Sequence, residues 1–160
     1  MKDIAAQFDH LDARITKWMA RYGLQLLRIS LGVVFLWFGA LKFFPGLSPA
    51  QDLAARTVEK LTLGTVHPNV SIPLLAAWES LIGLGLLVRI FMRATLFLLA
   101  VQMAGTLMPL VLFPSEVFTR IPYAPTLEGQ YIIKNAVLIS AAIVLGATVR
   151  GGALVADKRQ

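Results

Sequence analysis

From residue 71 to residue 88 the chain carries one ionisable side chain, Glu79, near the middle of an otherwise apolar run. A run of roughly 18 or more apolar residues is typical of a helix that crosses a membrane. A carboxylate at mid-membrane depth costs about 2.5–3.5 kcal/mol on insertion scales, so such a group normally faces a bundle interior and has a partner. The run therefore predicts a membrane-spanning helix whose acid is paired with a donor from another helix.

Composition supports a membrane protein. The chain is 57% hydrophobic and 15% charged, with a mean hydropathy of +0.70, whereas soluble domains are about 25% charged. We therefore expect the lipid bilayer as its environment, and a chain of 160 residues leaves no room for a soluble catalytic domain. The net charge of +6 does not indicate nucleic acid, because in a membrane protein basic residues set the orientation. The absence of cysteine excludes disulfides and thiolate chemistry.

The apolar runs predict an all-α membrane protein built as a bundle of four transmembrane helices. Its membrane domain covers residues 23–150, followed by a basic tail, residues 151–160. The predicted spans are residues 24–44, 71–91, 94–113 and 130–149.

Residues 1–22 predict a separate amphipathic helix ahead of the first span. Apolar residues recur there at helical spacing, and basic and acidic residues fall mostly on the other face. The apolar residues are Ile4, Phe8, Leu11, Ile15 and Trp18. Such a helix would lie in the membrane interface, and the alternative is a docking helix for a partner. The segment has no apolar core of a signal peptide.

The connections differ in length. The very short turn at residues 89–93 makes the second and third spans an antiparallel hairpin. Residues 45–73 are long enough for a short amphipathic helix over the mouth of the bundle, which Gly64 would end. Residues 114–129 are polar and rich in proline, which predicts a stiff loop at the interface.

Basic residues predict the orientation. They are concentrated in the N-terminal segment, the short turn and the tail, and are sparse in the two long loops. The first group is Lys2, Arg14, Lys17, Arg21, Arg89, Arg93, Arg150, Lys158 and Arg159, against Arg56, Lys60 and Arg120 in the loops. The positive-inside rule then places both termini in the cytoplasm, and four spans satisfy that parity. Arg28, one turn inside the first span, is expected to extend to the lipid headgroups.

Depth along the helices brings polar residues to one region. At about 1.5 Å per residue, Glu79 lies roughly 12 Å below the outer surface, and Gln102 reaches a similar level from the other side. Lys42 and Lys134 lie at similar levels nearer the outer surface, so the side chain of either could approach Glu79. The candidate ligand-binding residues in this outer half are Lys42, Trp78, Glu79, Gln102, Lys134 and Asn135, with Glu79 the best catalytic candidate. The alternative is an ion-paired core that fixes helix register, in which Trp78 is a packing residue.

Several chemistries are excluded by missing residues. The two histidines, His10 and His67, are predicted on opposite sides of the membrane, so they cannot ligate a haem between helices. No cluster of His, Cys or carboxylates suits a metal, and neither a P-loop nor a dinucleotide-binding glycine pattern occurs. If the protein takes part in redox chemistry, the carrier must be a bound quinone or a partner subunit.

The sequence resembles the DoxX-like membrane proteins. The segment RISLGVVFLWFGALKF, from Arg28 to Phe43, looks like their first helix, and WESLIGLGLLVR around Glu79 looks like their second. The segment PTLEGQYIIKN, from Pro125 to Asn135, looks like the start of their fourth. The resemblance covers roughly residues 24–150. It implies a four-helix bundle in the inner membrane of bacteria. One branch is the small subunit of thiosulfate:quinone oxidoreductase, and other members are linked to membrane redox complexes and oxidative stress.

These observations lead to one hypothesis and two alternatives. The hypothesis is a subunit of a quinone-linked redox or oxidative-stress complex with a polar pocket in the outer half of the bundle, at most a non-catalytic or quinone-binding part of an oxidoreductase. The alternatives are a small-solute transporter or channel subunit and a non-catalytic membrane anchor or assembly factor. The expected partners are a redox subunit or a second copy of the chain. Glycines that suit close helix packing, within or between chains, are Gly32, Gly39, Gly83 and Gly85.

Overall fold

The computed structural model describes residues 2–48 and 51–152, and of residues 2–7 only the helical backbone. Helices account for most of it, in the order α1 Lys2–Leu41, α2 Gln51–Leu61, α3 Pro68–Val88, α4 Met92–Leu107, α5 Pro109–Leu112, α6 Pro114–Val117 and α7 Leu127–Thr148. Between α6 and α7 the short strands β1 Phe118–Arg120 and β2 Ala124–Pro125 form an antiparallel hairpin. Of the predicted tail, residues 153–160 lie outside the described residues.

Four helical segments are long and apolar enough to cross a membrane: Phe8–Leu41, Pro68–Val88, Met92–Leu112 and Leu127–Thr148. The prediction of an all-α protein with four membrane helices is confirmed. The second span begins earlier than predicted because Pro68 stands at the start of the helix, where its fixed φ fits and its missing N–H is no loss. The third span is interrupted at Met108, just before Pro109, where α4 ends and α5 begins.

The structure differs from the prediction at the N-terminus. Residues 1–22 and 24–44 were expected as two elements, but α1 runs without a break from Lys2 to Leu41. No proline lies within this range. Gly23 stands at the predicted junction, but one glycine inside a helix costs only about 1 kcal/mol relative to alanine. Residues 8–23 are all exposed. That this segment lies flat in the interface stays a prediction.

Helices α3 and α4 form the predicted hairpin. Two residues of the connecting turn, Arg89 and Phe91, adopt left-handed backbone conformations with φ of 63° and 51°. The N–H of Arg89 donates to the Gly85 carbonyl at 3.0 Å and closes α3. We call this side of the bundle the Arg89 end, and the opposite side, which carries α2 and the β-hairpin, the α2 end.

Helices α1 and α3 pack antiparallel and closely, because glycines stand at their contacts. A Cβ on Gly39 would come within 2.7 Å of the Ser80 nitrogen, and one on Gly83 within 2.7 Å of the Leu36 Cα. Gly32 faces the Leu87 side chain, and Gly85 faces Thr95 of α4. From the sequence, these glycines could pack helices within one chain or between chains. In the structure all four lie at contacts within the chain.

Two apolar clusters hold the fold. The main core joins α1, α3, α4 and α7, and a smaller cluster at the α2 end joins α2, α6 and α7. The main core consists of Leu31, Phe35, Ile82, Leu86, Leu99, Met103, Ala141 and Leu145, and the smaller cluster of Leu53, Val117 and Ile132. Helix α2 was predicted, and the chain leaves it through Gly64 at φ +79°. The segment 114–129, predicted as a stiff loop, contains α6, the β-hairpin and the first turn of α7.

Candidate functional site

Glu79 lies in the middle of α3 and is held by donors from two other elements. Its Oε2 accepts from Lys42 Nζ at 2.6 Å, and its Oε1 accepts from Gln102 Nε2 at 2.8 Å. Glu79 and Gln102 are each 8% exposed. We call Lys42, Glu79 and Gln102 the polar triad.

Local sequence explains why these three residues meet. Lys42 directly follows the last residue of α1. It therefore lies beside the part of α3 at which α1 ends. Gly39, one turn earlier, lets the backbone of α1 approach Ser80, and this brings the lysine stem beside Glu79. Gln102 is placed by α4, which the short turn at the Arg89 end folds back along α3.

Both carboxylate oxygens of Glu79 are satisfied by short bonds, the geometry in which a buried ion pair can be maintained. Lys42 keeps donor capacity, since its further bond, to the Phe38 carbonyl, is long at 3.4 Å and an ammonium has three N–H groups. Ser80 Oγ, next to Glu79, is enclosed and has no hydrogen-bond partner among the described residues.

The other predicted site residues lie apart from the triad. Trp78 donates from Nε1 to the Leu98 carbonyl at 3.2 Å and packs against the main core, so it joins α3 to α4. Lys134 is exposed, and its ammonium lies 5.2 Å from the centre of the Tyr131 ring on the same helix. Asn135 is half-buried. Depth gave Lys42 and Lys134 as alternative bases for Glu79, and the structure pairs Lys42.

Two surface grooves lie along α1, and neither includes a member of the triad. The first has a volume of about 310 Å³ and is lined by Trp18, Tyr22, Gln25, Leu26 and Ile29. The second has a volume of about 360 Å³ and is lined by Val33, Leu36, Trp37, Ala40, Leu41 and Phe44.

The sequence predicted that Arg28 would extend to the lipid headgroups, but its side chain bonds to the backbone of α3 instead. Its Nη1 donates to the Leu86 carbonyl and, at 3.0 Å, to the Leu87 carbonyl. These carbonyls belong to the last turn of α3, where backbone acceptors lack helical partners. A cation there also stabilises the negative end of the helix dipole. Arg28 therefore caps α3, and the apolar surroundings in sequence gave no signal of this.

A second polar group, missed by sequence reasoning, fixes α2 to the rest of the α2 end. Arg56 Nη1 and Nη2 donate to the two carboxylate oxygens of Glu116 at 2.8 and 2.6 Å, and its Nε donates to Asp52 at 3.0 Å. The hydrogen bonds between Arg56 and Glu116 lower the pKa of the Glu116 carboxyl below its usual range. The same bonds raise the pKa of the Arg56 guanidinium.

The same contact includes an aromatic ring. Lys60 and Arg56 place their charged groups 4.7 and 5.3 Å from the centre of the Phe113 ring, a cation–π arrangement. Lys60 also donates to the Leu112 carbonyl at 3.1 Å. The i,i+4 spacing of Asp52 and Arg56 was visible in sequence, but their partner across the fold was not.

Across residues 2–48 and 51–152, no group of three or more His, Cys, Asp or Glu residues is arranged to hold a metal ion. The triad offers one carboxylate, one ammonium and one amide. This set can donate hydrogen bonds to a carbonyl oxygen or exchange a proton, and its side chains are largely buried.

A family model described as DoxX matches residues 23–113, more than half of the chain. The matched range contains the whole polar triad and Arg28, and it ends before α7. Comparison with curated proteins and with solved structures gave no match.

Proposed function

Since the chain belongs to the DoxX family, we propose that this multi-pass membrane protein is a subunit of a quinone-linked redox or oxidative-stress complex, with the polar triad as its working site. The proposal includes a partner redox subunit. It places the protein in a bacterial inner membrane, with both termini in the cytoplasm and the α2 end outside.

The observation that supports this most is the bonding of Glu79. An ionisable residue buried in a membrane helix is costly, and such residues commonly mark ligand or proton pathways. Glu79 draws its two donors from Lys42, which directly follows α1, and from Gln102 of α4, so a change in its protonation affects contacts on both sides of α3. A carboxylate in this position can take up or release a proton.

The donor set of the triad is chemically suited to a quinone. A quinone carbonyl accepts hydrogen bonds, and Lys42 has donor capacity beyond its bond to Glu79. The second N–H of the Gln102 amide is a further donor. A bound quinone would supply two-electron redox chemistry. Lys42 and Gln102 would hold its carbonyl, while Glu79 would orient Lys42 and exchange a proton with the bound quinone.

The test is native mass spectrometry of the protein released from its own membrane in mild detergent, with extraction and identification of the bound small molecules. We expect a quinone-sized mass on the wild-type chain that is lost in Glu79→Gln. The matched control is Glu128→Gln, which removes an acid exposed at the start of α7. Circular dichroism checks that each variant is folded. Quinone retained by folded Glu79→Gln would contradict the role of the triad.

A second candidate, a membrane anchor or assembly factor, is favoured by a different observation. The carboxylate of Glu79 is satisfied entirely within the chain, and the grooves along α1 do not reach it. In that case the triad fixes α1 on α3 and α4, and Glu79→Gln changes stability or assembly alone. Transport is not proposed, because towards the Arg89 end the core beside the triad is apolar: Leu31, Phe35, Ile82, Leu86 and Leu99.

The orientation has its own test, since the chain has no native cysteine. Leu63 at the α2 end is 92% exposed, and Phe91 at the Arg89 end is 83% exposed. In spheroplasts, a membrane-impermeant maleimide should label Leu63→Cys and leave Phe91→Cys unlabelled until the cells are lysed. The reverse pattern would invert the proposed orientation.

A further inference from the structure

Helix α2 lies over the bundle at the α2 end. It packs on α3, and its Leu53 belongs to the smaller apolar cluster, against which Leu107 and Leu110 also pack. These two leucines follow Gln102 by five and eight residues along the third span. At about 1.5 Å per residue, the layer beneath α2 therefore lies roughly 8–12 Å from the polar triad. Helix α2 thus covers the triad on this side of the bundle.

The triad is closed in this arrangement. Glu79 and Gln102 are almost fully buried, the Lys42 side chain is 11% exposed, and the two grooves along α1 do not reach them. Towards the Arg89 end the core is apolar. A buried site of this kind admits a ligand only when a covering element moves.

The contacts that hold α2 are few and largely polar. Leu53 is its only residue in either apolar cluster. The pair of Arg56 and Glu116 has side chains that are 40% and 43% exposed, and Lys60 lies on the exposed side over the Phe113 ring. Exposed ion pairs are individually weak, and elements held by few apolar contacts are those that open locally.

The chain on either side of α2 contains a glycine in a left-handed conformation. Gly46 precedes the helix with φ +78°, and Gly64 follows it with φ +79°. A Cβ at either position would meet no described atom within 4 Å, so packing does not require these glycines. Glycine adopts left-handed and right-handed conformations about equally readily, which suits a hinge. The first residue of α2, Gln51, also has an enclosed Oε1 with no hydrogen-bond partner among the described residues.

We propose that α2 is a lid, which closes the polar triad in its docked position and swings away on Gly46 and Gly64 to admit a ligand from the α2 end. An enclosed acceptor without a partner costs free energy, so the docked position of Gln51 favours opening. The lid rests on the proposed function in that it gives the route by which a ligand reaches the triad. Its test measures access alone and needs no quinone.

Thr106→Cys is the probe of access, because Thr106 lies one turn beyond Gln102 towards the α2 end and is half-buried. Its hydroxyl bonds to the Met103 carbonyl of its own helix, so the substitution breaks no contact between elements. The chain has no native cysteine. The measurement is the rate at which the thiol reacts with hydroxyethyl methanethiosulfonate, a small, neutral, water-soluble reagent, in the full chain in nanodiscs.

Charge exchange at the pair that fastens α2 should control this rate. Glu116→Arg replaces the attraction to Arg56 by repulsion, and we expect the rate to rise roughly threefold to tenfold. Adding Arg56→Glu restores the pair with its charges exchanged and should return the rate close to that of the parent. Lys60→Met, which removes the second fastening, should also raise the rate. Glu128→Arg is the matched control, since it makes the same change of charge at an exposed acid of α7 and should leave the rate unchanged.

Three results would overturn the lid. Equal rates in Glu116→Arg and Glu128→Arg would mean that the fastening does not control access. A rise that the exchanged pair fails to reverse would reflect general loosening, which circular dichroism of each variant also monitors. A thiol that reacts only with a lipid-soluble maleimide, whatever the state of the pair, would place the entrance between the helices. If the rates follow the pair and no quinone is found on the wild-type chain, the lid holds and the quinone proposal alone fails.

Discussion

Lys42 Nζ lies 2.6 Å from Glu79 Oε2, and this contact joins the residue that directly follows α1 to the middle of α3. Both side chains are about one tenth exposed, at 11% and 10%. The closeness depends on Gly39, since a side chain there would strike Ser80. The packing of the end of α1 on α3 and the ion pair of Glu79 therefore depend on each other. A substitution that disturbs one should also weaken the other.

A double-mutant cycle tests this pair. Glu79→Gln leaves the Lys42 charge buried without its partner, which typically costs about 3–5 kcal/mol. We expect Lys42→Met to be destabilising too, and the double variant to be more stable than Glu79→Gln alone. Unfolding of the protein in mixed micelles of increasing SDS content measures the free energies. Losses that simply add would mean that the two charges do not interact.

Gly83→Ala should weaken the packing of α1 on α3. The new Cβ would meet the backbone of Leu36, which cannot rotate away, so we expect a cost of roughly 1–3 kcal/mol. Gly105→Ala is the matched control, because a Cβ there meets no described atom within 4 Å. The control should be neutral or stabilising by up to about 1 kcal/mol through helix propensity. Thermal unfolding followed by circular dichroism distinguishes them, and equal effects would contradict the close contact.

Arg28→Met should destabilise the Arg89 end. The substitution keeps much of the apolar stem but removes the donors to the Leu86 and Leu87 carbonyls, a loss of roughly 1–3 kcal/mol. Exposed Arg93 provides the control, and Arg93→Met should stay within about 0.5 kcal/mol of wild type. Hydrogen exchange at the last turn of α3 reports the effect locally. Unchanged exchange there in Arg28→Met would show that the arginine does not cap the helix.

Acid should loosen α2. Because Arg56 lowers the pKa of Glu116 from its ordinary value of 4.5, the pair stabilises docking fully above that pH. The contribution is lost as the pH falls through the lowered pKa of Glu116. Spin labels at Leu61→Cys and Ser115→Cys should report a longer, broader distance in acid. Glu116→Gln should remove this pH dependence and Glu128→Gln should retain it; a transition that survives Glu116→Gln would have another cause.

The sequence alone predicted the four membrane helices and the buried position of Glu79. Long apolar runs cross membranes because every backbone polar group must be bonded within the segment, so length and composition alone gave the four spans and their approximate limits. The presence of Glu79 in such a run required a partner, and Gln102 could be placed at its level by counting residues from the turn. The hairpin of α3 and α4 followed from the shortness of their connection.

What sequence left open was which face each helix turns inward. A membrane helix is apolar on all sides, so periodicity does not separate core from lipid, and Lys42 and Lys134 were equivalent by depth. The structure selects Lys42 because glycines let α1 approach α3, while Lys134 remains exposed on α7. Likewise, the cap made by Arg28 and the contact of Arg56 with Glu116 join residues far apart in the chain. Such pairs form only when tertiary packing brings the helices together. The membrane spans, by contrast, depend only on the length and apolar composition of each segment.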